Sequence, residues 1–199
     1  MEILSKAFGA YSTNCYIVNL GGKQAVIDPG DGAFGWVMQN AKNLKAIICT
    51  HGHFDHIYDV CEIKKASLAP IFIHRDDAFM LENDIFNEGY HVCKPDFAVD
   101  EGAYECEGFS FEFMHFTGHT PGCSMVRFED VVFSGDFLFK DSIGRWDFPY
   151  SNKNDMIKSL EKAMKLQGDF RILPGHGGET SLQRERQNFT SWLQYVKMH

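Results

Sequence analysis

At 199 residues, with 44% apolar and 23% charged side chains, the chain has the length and composition of one globular domain with a sizeable core. A formal net charge of −8 argues against non-specific nucleic-acid binding. No apolar run reaches membrane-spanning length and residues 1–6 lack the apolar stretch of a secretory signal, so a small-molecule partner is expected, with no nucleic acid and no membrane.

Residues 2–8 and 13–20 read as strands, and Gly21-Gly22 is a hairpin signal before a third strand at 24–27. That strand ends in Asp28-Pro29-Gly30. Two roles are open to Asp28: capping a helix at about 32–42, or supporting a metal ligand from behind. Ala46-Ile47-Ile48-Cys49 is the apolar run of a buried strand. It leads into Thr50-His51-Gly52-His53-Phe54-Asp55-His56, after which Tyr58, Val60, Cys61 and Ile63 outline a helix to about residue 65. A short buried strand at 70–73 and a helix at 75–83 follow. Residues 84–104 show no period and carry Phe86, Tyr90, Pro95 and Phe97, the pattern of a loop covering the site. From residue 108 the pattern is again β, with Phe109, Phe111, Phe113 and His115 alternating along one strand and two shorter strands at 123–128 and 130–134. An amphipathic helix at 151–166, a strand at 170–173 and a helix at 180–196 complete the reading. β-runs and helices occur in both halves, which suits two packed sheets with helices on their outer faces. The six cysteines show no CxxC pair and no disulfide-like spacing, and Cys15, Cys49 and Cys123 stand in or beside apolar segments. Free thiols in a reducing cytoplasm are the expectation.

The chemistry is concentrated at residues 51–56, where four metal-capable side chains stand at the junction of a strand and a helix. His51 and His53 are two apart, so extended backbone presents both imidazoles to one side. Asp55 and His56 lie past the bend and reach a second point nearby, which points to two adjacent ions. A single histidine is usually structural; four such groups at a strand end are not readily explained that way. His119, Asp136 and His176 also follow strands, each with glycine close by in sequence. Imidazole and carboxylate donors suit zinc first, with iron or manganese as alternatives. The set divides into His51, His53 and His119 for one ion and Asp55, His56 and His176 for the other, with Asp136 placed to bridge. Two ions about 3.5–4 Å apart clamp a hydroxide and polarise a carbonyl or phosphoryl oxygen. No Ser–His nucleophile motif or phosphate-binding loop competes with this hydrolytic machinery.

These seven residues resemble the metal signature of the metallo-β-lactamase superfamily. From Asn14-Cys15-Tyr16 through Asp28-Pro29-Gly30 to Leu173-Pro174-Gly175-His176-Gly177, the chain is most similar to short, single-domain members of its glyoxalase II group, the hydroxyacylglutathione hydrolases. The resemblance implies an α+β fold, an αββα four-layer sandwich of two mixed sheets, formed by residues 1–199 as one domain without the C-terminal helical domain of full-length glyoxalase II. It implies hydrolysis of a thioester such as S-lactoylglutathione by a metal-bridging hydroxide, with Asp55 both binding its ion and orienting the hydroxide. Within Gly144-Arg145-Trp146-Asp147, Arg145 falls where glyoxalase II-like proteins carry a basic residue that holds substrate. Alternatives on the same fold are a persulfide dioxygenase with one iron, and a phosphodiesterase or lactonase. The intact second set, His56 with His176, disfavours the first, and the acidic balance disfavours long nucleic acid as a substrate.

Overall fold

In the computed structural model, which describes residues 1–199, the first half of the chain builds one sheet. β1 (Glu2–Phe8), β2 (Thr13–Leu20) and β3 (Lys23–Ile27) form an antiparallel meander. Gly21 and Gly22, at φ of 60° and 81°, make the tight turn between β2 and β3 that side chains would strain. β4 (Leu44–Cys49), β5 (Ile71–His74) and β6 (Phe97–Val99) then add in parallel. They are joined by α1 (Phe34–Asn40), by α2 (Phe54–Ile57) with α3 (Val60–Ser67), and by a 3-10 turn with α4 (Ala78–Glu82).

The second sheet holds β7 (Gly102–Cys106), β8 (Phe109–His115), β9 (Ser124–Phe128) and β10 (Val131–Gly135) as antiparallel neighbours. A small hairpin, β11 (Leu138–Phe139) with β12 (Ser142–Ile143), and α5 (Lys153–Ala163) lead to β13 (Arg171–Pro174). β13 lies parallel to β10, with β14 (Thr180–Ser181) outside it, followed by α6 (Leu182–Glu185) and α7 (Phe189–Met198).

Strand alternation decides what each sheet face meets. Ala46 and Ile48 of β4 join Tyr16, Phe72, Phe111 and Phe133 between the sheets, whereas Ile47 and Cys49 pack outward against Val37 of α1 and Val60 and Ile63 of α3. In the second sheet Phe113 and Val126 face inward, and Met114 and Met125 meet α5 and α7 through Met156, Leu160, Phe189 and Val196. Each fully buried chain such as Ile48 or Phe113 contributes about 1.5–3 kcal/mol through burial. This is the αββα, α+β sandwich expected.

Three details differ from the expectation, and a fourth decides between the two roles open to Asp28. The segment 84–104 is irregular only in its first part. Phe97 opens β6 and stacks on Phe72 at 4.5 Å, and Tyr104 lies in β7. Strands this short carry no readable period. The helix expected at 180–196 starts late and in two pieces: residues 180–181 pair with β13, the Ser181 hydroxyl accepts from Arg184 N–H to cap the single turn of α6, and α7 starts anew at Phe189. Asp28 does not cap α1, whose N-cap is Ala33 with no side-chain hydrogen bond. The cysteine expectation is also corrected: Cys61 of α3 and Cys93 form a disulfide with Cα atoms 5.8 Å apart, leaving Cys15, Cys49, Cys106 and Cys123 as thiols. The paired cysteines are 32 residues apart, one in a helix and one in an aperiodic segment, so only the tertiary fold brings them together.

Candidate metal centre

The C-terminal ends of β3, β4, β8, β10 and β13 share one rim of the sandwich, and each delivers a polar residue to it. β8 and β10 both run antiparallel to β9, which is why their ends coincide. β4 ends at Cys49 and the chain turns through Thr50 and His51. His53 is the last extended residue, and α2 starts directly after it with Asp55 and His56 on its single turn. Tyr16 Oη and Asn14 Nδ2 of β2 donate to Pro174 O at 2.6 and 3.0 Å, tying the first sheet to the strand end that presents His176. Gly175 is fixed by space, since a Cβ there would overlap Asp136 Oδ1 and come within 2.6 Å of the His56 ring.

All seven sequence-predicted ligands converge. Donor atoms of His51, His53 and His119 lie within 4.8 Å of one another, and so do those of Asp55, His56 and His176. Asp136 stands between the groups. Its Oδ2 is 3.4 Å from His119 Nε2 and 3.3 Å from His176 Nε2, and its Oδ1 is 3.3 Å from His56 Nε2. Asp55 Oδ2 is 3.5 Å from His56 Nε2 and 3.4 Å from His176 Nε2.

A second layer fixes which ring nitrogen faces inward. His119 Nδ1 lies 2.8 Å from Arg145 O and His176 Nδ1 lies 3.0 Å from Tyr11 O. A carbonyl only accepts, so each Nδ1 carries the proton and donates it, leaving Nε2 to the cluster. The Thr50 hydroxyl donates to Asp28 Oδ2 at 2.6 Å and therefore accepts from His51 Nδ1 at 3.1 Å. Asp28 Oδ2 also takes His56 Nδ1–H at 3.0 Å, and Oδ1 takes Thr50 N–H at 2.7 Å. Asp28 thus serves histidines of both groups, which is the second of the two roles open to it. Thr13, at the start of β2, donates to Asp55 Oδ2 at 2.6 Å. Thr50, Thr13 and Tyr11 carry no local signal that sequence reasoning could use, because each acts through a partner distant in the chain or through its backbone.

Burial holds the His51 imidazolium well out of reach, pushes His53 down to about 3 and lowers His119, so these three are neutral donors. Burial also opposes charge on His56, but Asp55, Asp136 and Asp28 outweigh it and hold that ring well above its ordinary value. Against burial, Asp136 and Asp55 raise His176 to about 9. Burial raises the two carboxyls in turn, yet His56 and His176 hold both below the usual range. A divalent cation would answer both carboxylates in the same place, held by neutral imidazoles. The fit has independent support. His51 Nε2 and His119 Nε2 are buried and make no hydrogen bond, whereas buried polar atoms are nearly always satisfied.

Over the cluster lies a cavity of about 300 Å³ walled by Tyr11, Phe54, Phe86, Phe148 and Pro149. Phe86 comes from the covering segment, its ring 5.6 Å from that of His53. Arg145 does not line this cavity. Its guanidinium forks onto Asp147 at 2.8 and 2.7 Å and lies 4.3 Å over the Phe148 ring, in an adjoining groove with Trp146, Trp192 and Tyr195.

Residues 8–176 match the family model of the metallo-beta-lactamase superfamily. An uncharacterized protein of Aquifex aeolicus (strain VF5) is 33% identical over 192 residues, 89% of this chain and 90% of its own. The hydroxyacylglutathione hydrolase GloC of Haemophilus influenzae is 31% identical over 196 residues, 90% of this chain and 92% of its own. Among solved structures, the B3 metallo-beta-lactamase BLEG-1 superposes with a TM-score of 0.84 at 27% identity, covering 94% of this chain and 97% of that one. TTHA1623 in a di-iron-bound form gives 0.78 at 30% identity, covering 92% and 96%. Likeness on this scale, in sequence and in fold, spans most of the chain, which belongs to the metallo-β-lactamase superfamily as a metallo-hydrolase.

Proposed function

We propose that the protein hydrolyses a thioester, with an S-acylglutathione such as S-lactoylglutathione as the leading substrate, and that it works with two divalent ions, zinc first. The observation that carries this reading is the complete double donor set, with buried orphan atoms at its centre. The likeness to a hydroxyacylglutathione hydrolase supports the choice of substrate. His51, His53 and His119 would hold one ion, Asp55, His56 and His176 the other, and Asp136 both. Such ions supply, when bound, a nucleophilic water near neutral pH and a Lewis acid for the acyl carbonyl.

The chain's own residues do the rest. Thr13 fixes the Asp55 carboxylate toward the cluster, where it orients the nucleophile as the catalytic residue. The aromatic walls exclude bulk water and so strengthen every charge interaction beneath them. A thiolate leaving group of pKa roughly 8.5 departs without a general acid. This agrees with a cavity whose acidic side chains are Asp55 and Asp136 alone. Arg145, at the border of cavity and groove, exchanges Asp147 for an anionic part of the substrate. The cytoplasm remains the proposed location; a Cys61–Cys93 pair found oxidised in protein alkylated inside intact cells would contradict it.

Steady-state assays of metal-loaded protein against S-lactoylglutathione, a lactone and a phosphodiester test the reaction. The expected result is preferential thioester turnover. Protein that leaves the thioester intact but consumes glutathione persulfide and oxygen contradicts it.

A further inference from the structure

Next to β4 on the same side of the first sheet, the parallel strand β5 ends without any of the seven ligands. It runs into the 3-10 turn Arg75–Asp77, and Asp77 is fully buried beside the ligand loops. Three donors, and no lysine or arginine, answer its charge. Oδ2 accepts from Gly52 N–H at 2.8 Å and from the Thr120 hydroxyl at 2.6 Å, and Oδ1 accepts from Gly122 N–H at 2.6 Å. Burial pushes this carboxyl up to about 6 against the pull of those same donors. A buried carboxylate held this way is costly to keep unless its bonds serve something.

The donors lie on the two segments that carry the three-histidine group. Gly52 separates His51 from His53, and Thr120 follows His119. Packing leaves these segments no slack. A Cβ on Gly52 would come within 2.8 Å of Met80 Cβ, and a Cβ on Gly122 within 2.8 Å of Asp77 Cγ. We propose that Asp77 is a positioning residue of the metal centre: its carboxylate clamps the 51–53 turn to the His119 loop and so sets the separation of the three imidazoles that receive one ion. The inference rests on His51, His53 and His119 holding an ion and is independent of the substrate.

The isosteric variant Asp77→Asn exposes the requirement for two oxygens. Its amide offers one acceptor group where three donors arrive, so either Gly52 N–H or Gly122 N–H then faces an NH₂ group. Thr120→Val removes one donor from the clamp, and Thr120→Ser keeps it.

The test is cobalt(II) titration of wild-type protein, D77N, T120V and T120S against a competing chelator, followed by visible absorption, with folding of each verified by circular dichroism. Wild-type protein is expected to take two ions. In D77N one of the two should bind about 10–100-fold more weakly, the range for loss of a partner behind a metal ligand, with an altered absorption band. T120V should show a smaller shift in the same direction, and T120S should match wild type. Folded D77N that binds both ions with wild-type affinity and spectrum overturns the role of Asp77 while leaving the metal centre standing. If D77N does not fold, identical titrations of T120V and T120S overturn it. Wild-type protein that fails to retain two ions overturns the metal-centre reading, and this inference with it.

Discussion

Asp28 stands at a positive φ of 50° where β3 ends, a conformation uncommon outside glycine, asparagine and aspartate. From there one carboxylate reaches His56 directly and His51 through Thr50. Asp28→Ala strands a buried amide, a hydroxyl and an imidazole, so metal affinity should fall about 10–100-fold; chelator competition measures it, and an unchanged affinity would remove Asp28 from the centre. Asp55→Ala should lower kcat by orders of magnitude, through loss of a ligand and of orientation together. Arg145→Ala should raise KM with a smaller effect on kcat, as loss of uniform binding does; Michaelis profiles with the best thioester separate the two, and an unchanged KM would deny Arg145 its contact. The candidate ligands were legible because four crowd into one short motif and the other three recur at strand ends beside glycines. Thr13 and Thr50 were not, because a hydroxyl acquires this role only from a partner the fold supplies. For Asp28 both roles demanded a carboxylate at a strand end, and only the tertiary structure distinguished them.

The segment after α4 is the element on which sequence and structure diverge most. Its covering role was read from its length and lack of period, and Phe86 does wall the cavity. Its anchors were invisible: the disulfide to α3, Cys93 N–H donating to Leu81 O at 3.1 Å, and Tyr90 Oη donating to Met80 O at 2.5 Å. A bridge across 32 residues stabilises the fold by about 3–4 kcal/mol through the constraint it places on the unfolded chain. Cys93→Ser should therefore lower thermal stability and raise KM, since Phe86 loses an anchor of its segment. Calorimetry and kinetics with and without reductant check this; a KM indifferent to both the variant and the reductant would separate the loop from the site. The broken helix at 180–196 teaches the same lesson from the other side. A helix does form there, but two residues of strand pairing delay its start and it runs in two pieces.

At the scale of the molecule, the centre joins two halves. His51, His53, Asp55 and His56 follow a strand of the first sheet, and His119, Asp136 and His176 follow strands of the second. The sandwich itself was legible from period-two runs such as Phe109, Phe111 and Phe113, whose buried rings fill the space between the sheets. Ions bound across that seam, as proposed, would stabilise the folded state by mass action, about 4 kcal/mol at a thousandfold excess over Kd. For a chain of this size that corresponds to roughly 8–16 °C in Tm, at about 2–4 °C per kcal/mol. Chelation should lower Tm by that order, and a Tm insensitive to chelation would contradict a centre that links the sheets. The most direct measurement of the central claim is metal content by elemental mass spectrometry on folded protein, reconstituted with zinc and freed of loosely held ions. Two ions per chain is the predicted result; one ion or none would contradict it.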